Sequence, residues 1–115
     1  MNAGLLGPWT LLVLGGLLEM VWAIGFKYVG RDAPLWQQGG VVLALIGSMT
    51  LLYIAMKHLP AGTAYAVWTG IGALGVATVG ILVFKEPATL ARIVFLAMIL
   101  LGIVGLKATS GGGQA

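Results

Sequence analysis

Glu19 is one of three acidic residues in the 115-residue chain and the single charge within the apolar run 9–26. At 1.5 Å per helical residue it falls about 15 Å from the end of that run. A charge so deep in a bilayer costs about 2.5–3.5 kcal/mol on insertion scales, and such groups face a bundle interior or a water-filled cavity. No Lys or Arg lies deep in another apolar run to neutralise it. Desolvation therefore acts on a bare carboxylate and favours its capture of a proton or a cation. A group that exchanges one for the other is the working part of a proton-coupled cation carrier. The plainer alternative is a protonated structural carboxyl, hydrogen-bonded between helices.

Residues three and four positions away share a helix face with Glu19: Gly15, Gly16, Trp22 and Ala23. The glycines leave room for a ligand or for a neighbouring helix, and Trp22 serves either the site or an interfacial aromatic belt. A later stretch, Gly62-Thr-Ala-Tyr-Ala-Val-Trp-Thr-Gly-Ile-Gly72, aligns Tyr65, Trp68, Thr69 and Gly72 on one face at i, i+3, i+4 and i+7. Trp68 lies about 10–12 Å inside the membrane edge, deeper than a belt residue needs. Tyr and Trp together form an aromatic wall with hydrogen-bond donors, suited to an organic cation and to orienting a carboxylate. Core packing is the alternative for this face. Gly70 and Gly72 weaken the helix and permit a bend. Ser48, midway along another apolar run, offers a hydroxyl to the site or to helix packing.

These residues need a frame, and composition specifies it. Hydrophobic residues make up 60% of the chain, charged residues 8%, and the mean hydropathy is +1.07. A soluble domain carries about a quarter charged residues, so a water-soluble enzyme is excluded, and disorder fails because disordered chains are poor in apolar residues. With no cysteine, one histidine and three carboxylates, no metal site or cofactor is expected. There is no nucleophile–base pair or phosphate loop, so the chain is not expected to be an enzyme. The pI near 9.6 reflects a net charge of only +3. Its cations are scattered singly, with no stripe for nucleic acid.

Four apolar runs, 9–26, 39–56, 61–84 and 89–106, each match a hydrocarbon slab of about 30 Å. They predict an all-α membrane protein with one four-helix domain over 1–109 and a low-complexity, disordered tail at 110–115. Pro60 and Pro87 are expected where helices begin. No cleavable signal peptide is expected, because no Lys or Arg precedes the first run and Glu19 interrupts it. Lys27, Arg31, Lys85 and Arg92 fall on one side, Lys57 and Lys107 on the other. That bias is small enough for insertion in both orientations. Gly102 and Gly105 on the fourth run suit a close helix–helix contact. Dimerisation would supply a second carboxylate to a site for which one subunit has a single candidate.

The single Glu of the first run, with Pro60-Ala-Gly-Thr-Ala-Tyr-Ala-Val-Trp-Thr-Gly-Ile-Gly72 in the third, resembles the small multidrug resistance family. The resemblance covers nearly all of 9–109. Within the family, Glu19-Met-Val-Trp-Ala-Ile-Gly-Phe-Lys-Tyr28 and the closing Gly-Leu-Lys-Ala-Thr-Ser110 are similar to the guanidinium-exporter branch. The resemblance implies an antiparallel, dual-topology homodimer of short four-helix subunits in a prokaryotic inner membrane. It further implies export of guanidinium or small substituted guanidinium cations in exchange for protons, by alternating access. Residue by residue, it implies that Glu19 of both subunits binds substrate and protons, with Trp22, Ser48 and Trp68 hydrogen-bonding the carboxylates. Tyr65 would line the pocket, Gly16 would leave space beside the Glu, and Gly102 would lie in the dimer contact. A broader quaternary ammonium or multidrug antiporter of the same fold is the alternative. A cation channel, or a subunit that acts beside a related chain, is the more distant one.

Overall fold

The computed structural model describes residues 3–110, which form four helices: α1 (Ala3–Tyr28), α2 (Leu35–Met56), α3 (Ala61–Leu82) and α4 (Leu90–Ser110). All four are long and apolar enough to cross a membrane. Their apolar segments of 20–22 residues span about 30–33 Å. Short connections make the helices run alternately up and down. The α1–α2 and α3–α4 turns therefore share one end of the bundle, and the α2–α3 turn stands at the other.

Proline sets two of the helix starts. Pro34 and Pro60 occupy the N-cap positions of α2 and α3 in extended conformation, where a missing N–H removes no helical bond. Pro87 behaves differently from the expectation. It lies three residues before α4, whose first turn is capped by Thr89 Oγ1 accepting from the Arg92 N–H at 3.2 Å. Pro8 lies inside α1, which begins earlier than the apolar run and encloses it. At its far end α3 stops at Leu82, two residues short of the apolar run 61–84. The chain reverses at Lys85, the one non-glycine with positive φ among the described residues (60°). That reversal lets the Glu86 N–H donate to Gly80 O at 3.0 Å. The α1–α2 turn is clipped by Gln38, whose Nε2 donates to Arg31 O and Ala33 O at 2.9 and 2.7 Å. Ser110, expected in the tail, ends α4; residues 111–115 lie outside the described residues.

The core is a cluster of Leu12, Leu52, Ala55, Ala64, Val67 and Trp68 contributed by α1, α2 and α3. α4 lies along α3 and buries none of its described residues. The folded chain is thin, 48 × 36 × 20 Å, with a radius of gyration of 15.5 Å. A globular domain of this length would have about 13 Å.

Candidate functional site

Two of the expected residues tie three helices together. Trp68 on α3 donates its indole N–H to Ser48 Oγ on α2 at 2.9 Å. Ser48 in turn donates its hydroxyl to Gly15 O on α1 at 2.7 Å. Both side chains are buried, so each bond replaces a contact with water that is no longer possible. The approach depends on the glycine pair of α1. A Cβ on Gly15 would stand 3.2 Å from Trp68 Cδ1, and one on Gly16 only 2.6 Å from Ile71 Cγ2. Tyr65 leans on Trp68, ring centroids 5.6 Å apart, with more than half of its surface exposed.

Glu19 lies one turn beyond this bridge. Its carboxyl rests on α3 at Gly72, where a Cβ would collide with Oε1. Its Oε1 and the indole N–H of Trp22 are both buried and have no hydrogen-bond partner among the described residues. Trp22 itself packs on Phe26, ring centroids 5.1 Å apart. A buried donor or acceptor left unpaired costs about 1–3 kcal/mol, and more for a charged group. The pair therefore marks a place where a ligand or a second polar surface would be favourable.

Glu19 opens into a cleft of about 350 Å³ lined also by Ala23, Thr69, Gly72, Ala77, Glu86 and Arg92. Of the residues expected at the site, the fold thus joins Glu19 to the glycine face of α3. It does not join the carboxylate to Ser48 or Trp68, which bond each other instead. Gly102 stands on the exposed face of α4, where a Cβ would meet nothing within 4 Å. Two cleft residues were not expected at the site: Glu86, and Arg92, whose charge points by sequence only to membrane topology. They form an ion pair at 2.9 Å. Opposite charges six residues apart across a proline were the only signal, and a turn hides their meeting.

The cleft is a largely apolar groove with one buried carboxylate oxygen that no described residue satisfies, an arrangement able to accept a small cation or a proton. No group of three or more His, Cys, Asp or Glu side chains that could hold a metal ion occurs among the described residues.

Residues 7–99 match the family model described as Small Multidrug Resistance protein. The chain is 54% identical over 102 residues to a protein named Guanidinium exporter from Yersinia pseudotuberculosis, covering 89% of this chain and 98% of that one. A Guanidinium exporter from Proteus vulgaris is 53% identical over the same shares. One from Escherichia coli (strain K12) is 54% identical over 99 residues, 86% of this chain and 94% of that one.

Proposed function

The chain belongs to the small multidrug resistance family, and we propose that it exports guanidinium and small guanidinyl cations across the cytoplasmic membrane in exchange for protons. The observation that carries this reading is the Glu19 carboxyl, seated on Gly72 with a buried oxygen that no described residue satisfies. Relatives at 53–54% identity are named for guanidinium export, which supplies the substrate class. Guanidinium is planar and permanently charged, with N–H donors in a fixed fork that matches a carboxylate.

Proton coupling follows from competition at one group. A proton on Glu19 removes the charge that binds the cation, and a bound cation disfavours the proton. Lowering the pH therefore weakens guanidinium binding, and raising it strengthens binding. The working unit is an antiparallel homodimer that brings two Glu19 carboxyls to one site. Two carboxylates close together titrate as a coupled pair, so cation uptake releases protons from the pair. Inverted subunits make the two ends of the carrier alike, and rocking one against the other exposes the site alternately. In that assembly Trp22 supplies its unpaired N–H to a carboxylate. Ser48 and Trp68 hold α1, α2 and α3 in the geometry that presents it, and Tyr65 walls the pocket. Gly16 keeps α1 close to α3, and Gly102 lies in the α4 contact between subunits.

The test is transport by the purified protein in liposomes, with guanidinium added on one side and internal pH recorded. Guanidinium should drive proton movement in the wild type and none in Glu19→Gln. Guanidinium flux without proton movement would identify a channel or uniporter. Proton movement driven by bulky aromatic cations but not by guanidinium would assign the multidrug substrate range.

A further inference from the structure

The cleft that holds Glu19 also holds an ion pair that the exchange cycle leaves unused. Arg92 Nη2 donates to Glu86 Oε1 at 2.9 Å, and Nη1 donates to Pro87 O at the same distance. Both side chains are about one-third exposed, so the pair stands where the cleft meets water.

Two features separate it from an ordinary surface pair. The first is how Glu86 is seated. A Cβ on Gly80 would collide with the Glu86 carboxyl, just as one on Gly72 would collide with that of Glu19. α3 thus carries a glycine seat for each carboxylate, eight residues or about 12 Å apart along its axis. The interval is lined by Ala73, Val76 and Ala77, which hold no competing charge. The second is what occupies Glu86: the Arg92 side chain ends in a guanidinium, the same planar fork as the proposed substrate.

We propose that Glu86 is a docking carboxylate at the mouth of the cleft, where a guanidinium ion displaces the Arg92 guanidinium before it passes to Glu19. The proposal rests on the guanidinium reading of the Glu19 site. The exchange replaces like with like, so Glu86 is never left bare. A pair this exposed is weak, and Arg92 keeps both water and the Pro87 carbonyl when displaced. From Glu86 the cation moves along the apolar wall toward a carboxylate that has no counter-ion of its own.

The experiment measures initial rates of guanidinium-driven proton movement against guanidinium concentration, using the full chain in liposomes. Glu86→Gln removes the docking charge and should raise KM about fivefold, with a smaller change in kcat. Glu86→Asp should recover most of that loss. Arg92→Gln removes the internal competitor and should lower KM, also about fivefold. A merely structural ion pair would move both variants in the same direction. The double variant separates displacement from simple repulsion of cations by Arg92: its KM should equal that of Glu86→Gln. An unchanged KM in both single variants overturns the proposal, as does a double variant that keeps the gain of Arg92→Gln. If the wild type itself transports no guanidinium, the reading of the Glu19 site fails, an outcome distinct from failure at Glu86 alone.

Discussion

Glu19 depends on a residue with no side chain. Gly72 allows the carboxyl to lie against α3, and a methyl there would occupy the same space. Gly72→Ala should leave the helix as stable or more stable, since alanine is favoured over glycine in a helix by about 1 kcal/mol. It should nevertheless lower guanidinium kcat/KM at least about tenfold, because the carboxyl must move off its seat. Transport assays paired with thermal melts in detergent check both halves. Trp68 and Ser48 give the opposite separation. Ser48→Ala leaves the buried indole N–H of Trp68 without its acceptor and removes the second donor to the Gly15 carbonyl, which keeps its helical bond. The expected loss is about 1–3 kcal/mol of stability, read as a lower melting temperature. The position of Glu19 along the first helix and the aromatic contact of Tyr65 with Trp68 were legible in the sequence, because each depends on spacing along one helix. Their pairings were not. Whether Trp68 turns to a carboxylate or to Ser48 depends on how α2 and α3 cross, which no local pattern records.

The elements were legible to within a few residues, and the departures have physical causes. Apolar runs locate the bilayer-crossing part of each helix, but a helix continues past the apolar part wherever backbone bonds and caps permit. α1 accordingly runs from Ala3 to Tyr28 and α2 begins at Leu35, directly after Pro34. The start of α4 was displaced from Pro87 because Thr89 provides a hydroxyl cap and proline does not. The turn before it carries the one non-glycine position with positive φ among the described residues, Lys85 at 60°. A left-handed conformation costs an L-residue roughly 1–2 kcal/mol that glycine escapes, against which glycine loses more chain entropy on folding. Lys85→Gly should therefore raise stability by up to about 1 kcal/mol, seen as a higher melting temperature with the turn preserved. A lower melting temperature would show that the lysine side chain contributes more than the turn geometry costs.

The folded chain is 20 Å across in its thinnest dimension, and α4 has no fully buried residue among the described ones. Bilayer lipid covers apolar surface well, so exposure of α4 alone does not require a second protein. The unpaired polar atoms of Glu19 and Trp22 are what lipid cannot satisfy. Gly102→Trp, which fills an open position on α4, should shift cross-linked protein from dimer toward monomer and reduce transport in parallel. Dual topology is tested cleanly because the chain has no native cysteine. A single cysteine placed beside Lys57 should be labelled from either face of the membrane in about half of the copies. Uniform labelling from one face would exclude the antiparallel arrangement.

The most direct measurement is proton release on guanidinium binding, in weakly buffered detergent solution with no membrane and no gradient. Competition for Glu19 requires that adding guanidinium to the wild type liberates protons, with apparent affinity rising as pH rises, by up to about tenfold per pH unit for one competing proton. Glu19→Gln should bind weakly and release none. Tight binding of guanidinium with no proton release, or release undiminished in Glu19→Gln, would contradict a shared carboxylate as the basis of exchange.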